Sequence, residues 1–198
     1  MFVIGLTGSI AMGKSTTAKL FAEEGVPVYD ADATVHRLYE GEAAGLIESA
    51  FPGSTRQGRV DRVALGKQVK GDPAALRRLE EIVHPLVRNA QTKFLKDAER
   101  AGAKVVVLDV PLLFETGGEA RVDATVVVSA PQHMQHARIM ERGLKLEEVE
   151  KLVARQMPDA EKRERADFVV DSGQGIEHAR VQVRHILAAV VKMPIRRK

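Results

Sequence analysis

Gly8-Ser9-Ile10-Ala11-Met12-Gly13-Lys14-Ser15 spells the spacing G-x-x-x-x-G-K-S. That spacing suits binding of the phosphates of a nucleoside triphosphate. Glycines let the backbone turn so that successive N–H groups point inward, and the positive end of the next helix adds to their field. Lys14 supplies a point charge for the β/γ oxygens, and Ser15 a hydroxyl for Mg²⁺. Gly8, Ala11, Met12, Gly13, Lys14, Ser15 and Thr16 are the expected nucleotide-binding residues. Ala11 lies inside the loop, where glycine would turn most freely. If φ is positive there, the methyl costs about 1–2 kcal/mol and lies close to a phosphate.

Three carboxylates could complete the chemistry. Asp30 and Asp32 follow an apolar run, in Tyr29-Asp30-Ala31-Asp32. The carboxyl ends of parallel strands are where open α/β sheets place their sites. A carboxylate there can orient an attacking hydroxyl and accept its proton. The competing role is that of a helix cap. Asp109 closes Val105-Val106-Val107-Leu108-Asp109, a hydrophobic strand ending in an acid, the arrangement that holds Mg²⁺ directly or through water. Arg138 and Arg142, four apart, share one helical face and could put positive charge over a moving phosphoryl group. Arg155, Lys162 and Arg165 are not separable from surface charge. A zinc site at His84 is not expected.

Positioning these groups requires strands and helices in alternation. Five near-continuous apolar runs, Phe2–Thr7, Val26–Asp30, Lys104–Val110, Ala124–Ser129 and Asp167–Asp171, have the pattern of parallel strands covered on both faces. Helical stretches lie between them, which predicts an α/β fold with right-handed crossovers. The gap between the second and third runs is too long for one crossover helix. Asp72-Pro73 starts a helix there, with Leu76, Leu79, Ile82, Val83, Leu86 and Val87 at helical spacing, and Pro85 marks a kink or break. Residues 36–100 therefore read as a helical insertion. The gap 130–166 is charged and mostly helical.

Composition bounds the rest. The 198 residues suit one domain with small insertions. A net charge of +3 gives no dense basic stripe of the nucleic-acid-binding kind. There is no cysteine, so disulfides and thiolate metal sites are excluded, which fits a reducing cytoplasm. No apolar stretch reaches membrane-spanning length, and Phe2–Leu6 is too short for a signal peptide. A soluble, cytoplasmic protein is expected.

Taken in order, the motifs resemble dephospho-CoA kinase, a P-loop kinase family. The resemblance rests on Gly5-Leu6-Thr7-Gly8 with Gly13-Lys14-Ser15-Thr16, on Asp30-Ala31-Asp32, on Ile82-Val83-His84-Pro85-Leu86-Val87-Arg88, and on Val110-Pro111-Leu112-Leu113-Phe114-Glu115. Arg138, Arg142, Gln156 and Ala166-Asp167 complete it. It implies a P-loop kinase fold: a five-stranded parallel sheet flanked by helices, with residues 1–35 and 101–198 as the nucleotide-binding core. Residues 36–100 would be the helical CoA-substrate domain and about 139–160 a mobile lid. It implies transfer of the ATP γ-phosphate, with Mg²⁺, to the ribose 3′-hydroxyl of dephospho-CoA. By position, Asp32 would be the base, with Lys14, Arg138 and Arg142 at the phosphates. Asp30, His84, Arg88 and Leu113 would shape the acceptor site, and Ser15 and Asp109 would hold the metal. Besides Ala11, Gly143 and Ser172 depart from the family pattern, where Asp and Asn are usual. Neither departure touches the expected chemistry directly.

Two other readings share parts of the pattern. A nucleoside or nucleoside-monophosphate kinase has the same loop and lid logic, but the His-Pro-Leu-Val-Arg and Val-Pro-Leu-Leu-Phe-Glu segments argue against it. A GTP-driven switch would read guanine with Asn-Lys-x-Asp. Asn89, the only asparagine, is followed by Ala90. The oligomeric state, monomer or trimer, is left open.

Overall fold

The computed structural model describes residues 1–143, 149 and 156–196. The chain divides into two compact units, one of residues 1–29 and 98–198, the other of residues 30–97.

The first unit is built on a five-stranded parallel sheet of order β2-β5-β1-β6-β7. The strands are β1 (Phe2–Thr7), β2 (Val28–Asp30), β5 (Val105–Asp109), β6 (Ala124–Ser129) and β7 (Phe168–Asp171). β1 lies at the centre, with Ile4 beside Val107 on one flank and Ala124 on the other. Every residue of β1, β5 and β6 is buried. Their β-branched runs fit a surface covered on both faces. Helix α1 (Lys14–Glu23) and the C-terminal α8 (Ile176–Val190) pack together. Leu20 and Phe21 from α1, and Val183, Ile186 and Val190 from α8, enter the core beneath Ile4, Leu6, Val126 and Val128. Arg180 with Glu23 (2.6 Å) and Arg184 with Glu24 (2.7 Å) tie the outer rims of the two helices. Helices α6 (Gln132–Glu141) and α7 (Asp159–Arg165) follow β6 and precede β7.

The second unit is helical, with α2 (Ala31–Tyr39), α3 (Ala44–Ala50), α4 (Arg62–Val69) and most of α5 (Pro73–Arg100). Leu38, Ile47, Phe51, Leu65, Leu79 and Val83 form its core. Carboxylates start three of these helices. Asp30 Oδ1 accepts from Ala33 N–H (2.8 Å), Asp61 Oδ1 from Val63 and Ala64, and Asp72 Oδ1 from Ala74 and Ala75. Each such cap is worth about 1 kcal/mol. A short antiparallel hairpin of β3 (Thr55–Arg56) and β4 (Arg59–Val60), too brief to show as an apolar run, joins α3 to α4.

Two expectations need correction. Pro85 does not break its helix: α5 is continuous over 28 residues that include it. A mid-helix proline costs about 3 kcal/mol, and here Leu79, Val83, Leu86 and Val87 on both sides of it are packed into the unit's core. The boundary read at 36 falls inside α2, whereas the helical unit begins at Asp30. Among the described residues no helix is long and apolar enough to cross a membrane.

Candidate active site

The phosphate loop leaves the buried end of β1 and enters α1 at Lys14. Two glycines are dictated by their surroundings. A Cβ on Gly8 would stand 2.6 Å from the Val128 carbonyl oxygen, and one on Gly13, at φ 91, would stand 2.8 Å from Ser172 Oγ. Ala11 does adopt the left-handed conformation, at φ 61. Ala11 is nonetheless buried and clusters with Ile139, Val149 and Ile10. Burial of the methyl, at about 0.8 kcal/mol per carbon, offsets much of the strain.

Three successive loop carbonyls are held from outside the loop. Gln135 Nε2 donates to Ile10 O (2.9 Å), Arg138 Nη1 to Ala11 O (3.3 Å) and Ser172 Oγ to Met12 O (2.7 Å). The C=O and N–H of one trans peptide point in opposite directions. Fixing these carbonyls outward therefore aims the following N–H groups into the loop. Arg138 also donates to Ser172 Oγ (3.0 Å) and, through Nη2, to Ser172 O (2.8 Å). Arg138 is thus engaged as a brace for the loop, not held free for a phosphate. Ser172, which the family pattern set aside from the chemistry, is the hub of this brace.

Lys14 Nζ is ion-paired with Asp109 Oδ1, the lysine side chain 16% exposed and the aspartate 4%. The strand-end carboxylate therefore sits beside the phosphate-loop lysine. Ser15 and Thr16 are exposed at the first turn of α1, where backbone N–H groups have no partner within the helix. A cavity of about 510 Å³ opens here, lined among others by Gly13, Thr16, Arg138, Arg142, Ser172 and Ile176. Arg142 is exposed at the end of α6 and has no carboxylate partner among the described residues.

The Val-Pro-Leu-Leu-Phe-Glu segment after β5 is tied to α7. Glu115 accepts from Met157 N–H (2.9 Å) and pairs with the fully buried Lys162 at 2.9 Å, in a contact poorly aligned for a hydrogen bond. Burial pushes the Glu115 carboxyl up, but the Lys162 ammonium and the Glu115 and Met157 N–H groups outweigh it, leaving it below the usual carboxylate range. Arg165 pairs with Glu119 (2.5 Å) and lies over the Phe114 ring. Lys162 is therefore structural, not surface charge. Leu113, expected at the acceptor, is 2% exposed and packs against Gly5 and Gly118, where any added Cβ would meet it below 3 Å. It is a core residue that lets the chain turn closely over β1.

In the helical unit, Asp32 is exposed in the first turn of α2. It shares a cavity of about 530 Å³ with Tyr39 and Arg62. Burial raises the Tyr39 hydroxyl pKa, against the lowering effect of the Arg62 charge, so the phenol stays protonated at neutral pH. Asp30 is the α2 cap, the competing role considered for it. His84 and Arg88 are exposed along α5 and are not among the residues lining this cavity.

A family model described as dephospho-CoA kinase matches residues 2–178. The chain belongs to the dephospho-CoA kinase family. Proteins named dephospho-CoA kinase from Bradyrhizobium diazoefficiens and Rhodopseudomonas palustris are 63% and 62% identical to it over the full length of both chains. A solved structure, TT1252 from Thermus thermophilus, is 39% identical, with a TM-score of 0.85 over 95% of this chain and 96% of that one. The family's P-loop kinase fold is the one described above.

Set against family membership, the structure brings Gly8, Ala11, Met12, Gly13, Lys14, Ser15, Thr16, Asp109, Arg138 and Arg142 into one unit, and Asp32 into the other. The middle of the expected lid, residues 144–148 and 150–155 with Arg155, lies outside the described residues. Sequence reasoning did not single out Gln135, Tyr39 or Arg62, and gave Ser172 no part in shaping the loop. Gln135 and Arg138 are three apart on α6, so a polar stripe on that helix was the one available signal.

Proposed function

We propose that this chain transfers the γ-phosphate of ATP to the ribose 3′-hydroxyl of dephospho-CoA, giving coenzyme A and ADP. Full-length identity above 60% to proteins of that name carries the reading. The braced phosphate loop supplies the chemistry it needs.

In this reading the loop N–H groups, the α1 terminus and Lys14 take the triphosphate, and the cavity beside Thr16 and Ser172 takes the rest of the nucleotide. Arg138 holds the loop's shape, while Arg142 stays free for the phosphoryl group. Asp32 accepts the proton of the 3′-hydroxyl as that oxygen attacks phosphorus in line, and ADP leaves. The transition state is loose, so positioning and charge do most of the work. Ser15 and Asp109 offer a hydroxyl and a carboxylate, hard oxygen donors that fit Mg²⁺, which usually takes one or two protein oxygens beside phosphates and waters. When bound, Mg²⁺ would neutralise charge on the β and γ oxygens. The protein is expected to work in the cytoplasm.

A panel of acceptors tests the proposal. ADP release should depend on dephospho-CoA and be weak with nucleosides and nucleoside monophosphates. Phosphorylation of a nucleoside monophosphate but not of dephospho-CoA would favour the other kinase reading.

A further inference from the structure

We infer that Arg62 binds the 5′-diphosphate of the acceptor and so helps set acceptor specificity. The inference rests on the assignment of dephospho-CoA as acceptor, and it concerns the cavity of the helical unit.

That cavity has a divided wall. Val35, Leu65, Val69 and Leu79 make an aliphatic floor, and Asp32, Tyr39 and Arg62 supply the polar groups. Its volume of about 530 Å³ falls within the usual range for small-molecule sites, roughly 300–1,000 Å³. Among the described residues that line it, Arg62 is the only cation. The guanidinium lies 5.5 Å from the Tyr39 ring centroid, and its Nη2 is 3.3 Å from His36 Nδ1. Among the described residues it has no carboxylate partner. Arg56, exposed on the neighbouring hairpin, is already paired with Asp61 (2.9 Å).

The acceptor's chemistry matches this layout. The ribose carbon bearing the reacting 3′-hydroxyl is bonded to the carbon from which the 5′-diphosphate arm extends. A cavity that gives Asp32 to the hydroxyl therefore has to meet the diphosphate nearby, and Arg62 is the group of opposite charge there. Guanidinium–phosphate contacts are charge-assisted and often bidentate. Tyr39 and His36 hold the fork in place, and neither supplies a negative charge to pair with it. The aliphatic floor suits the carbon chain beyond the diphosphate. His84 and Arg88, the acceptor groups implied by the family motifs, do not line this cavity.

The test is steady-state kinetics of the full chain with ATP and dephospho-CoA. Arg62→Ala should raise KM for dephospho-CoA on the order of tenfold or more. KM for ATP and the thermal midpoint should stay near those of the parent, and Arg62→Lys should recover part of the loss because it restores the charge. Arg62→Gln gives a second neutral variant should Arg62→Ala fold poorly. An unchanged KM for dephospho-CoA in the neutral variants would overturn the inference. So would Arg62→Lys behaving like Arg62→Ala, since packing on Tyr39 would then be what matters. If the parent fails to phosphorylate dephospho-CoA at all, the acceptor assignment falls, and this inference with it.

Discussion

Ser172 Oγ donates to the carbonyl oxygen of Met12 at 2.7 Å while accepting from Arg138 Nη1 at 3.0 Å. One hydroxyl thus joins the residue after β7, the α6 arginine and the phosphate loop. Removing it leaves Met12 O and Arg138 each short of a partner. At about 1 kcal/mol for each hydrogen bond, Ser172→Ala should raise KM for ATP roughly tenfold, with a smaller effect on KM for the acceptor. Calorimetric titration with ATP checks this; unchanged affinity would show that the brace does not shape the loop.

Ala11→Gly sets two opposed effects against each other. Glycine relieves the strain at φ 61, about 1–2 kcal/mol. It also empties the methyl's place beside Ile139 and Val149, at about 0.8 kcal/mol, and adds flexibility to the unfolded chain. Stability should change by less than about 1 kcal/mol and ATP affinity by less than about threefold. Chemical denaturation and titration measure both, and a large gain in affinity would mean that the methyl obstructs a phosphate.

The sheet was legible because buried parallel strands write themselves as apolar runs. Phe2–Thr7 and Ala124–Ser129 have the same limits in sequence and structure. The loop was legible because its glycines answer local backbone demands. Contacts between residues far apart in sequence were not legible. Arg138 looked like a catalytic arginine because spacing on a helix shows which residues share a face, not what that face meets. Leu113 belongs to a specific motif, but the motif serves close packing over Gly5. Pro85 was read as a kink or break because the cost of proline is local, whereas the burial that keeps the helix continuous comes from the whole helical unit.

The buried pair of Lys162 and Glu115 should make stability depend on acid. Glu115→Ala strands an ammonium that is 0% exposed, at a cost of about 3–5 kcal/mol at neutral pH. The Glu115 carboxyl lies below its usual range in the folded chain. Its contribution is therefore complete above the unfolded value of about 4.3 and fades as pH falls from there through the folded value. Urea midpoints of parent and variant should converge as the solution is made acidic. A gap of the same size at neutral pH and at pH about 3 would contradict the assignment.

Asp32→Asn keeps the shape of the side chain and removes its basicity. If Asp32 takes the proton of the acceptor hydroxyl, kcat should fall by roughly 10²–10⁴, with KM for ATP little changed. Near-normal kcat would rule out that role and leave Asp32 as part of the cavity wall alone.

Arg142 and Arg138 should separate in their effects. Arg142→Ala should lower kcat strongly while ATP still binds, because this exposed guanidinium braces nothing among the described residues. Arg138→Ala should weaken ATP binding itself, because it releases Ala11 O and Ser172. Paired measurements of kcat and ATP affinity check this; the same pattern in both variants would contradict the division of roles.

In the proposed reaction the γ-phosphate of ATP moves to one hydroxyl of dephospho-CoA. Incubating the chain with γ-labelled ATP, Mg²⁺ and dephospho-CoA, then locating the label in the purified product, tests it directly. One equivalent of label is expected on the ribose 3′-oxygen of coenzyme A, with one equivalent of ADP. Label released as free phosphate, or carried by another hydroxyl or another acceptor, would contradict it.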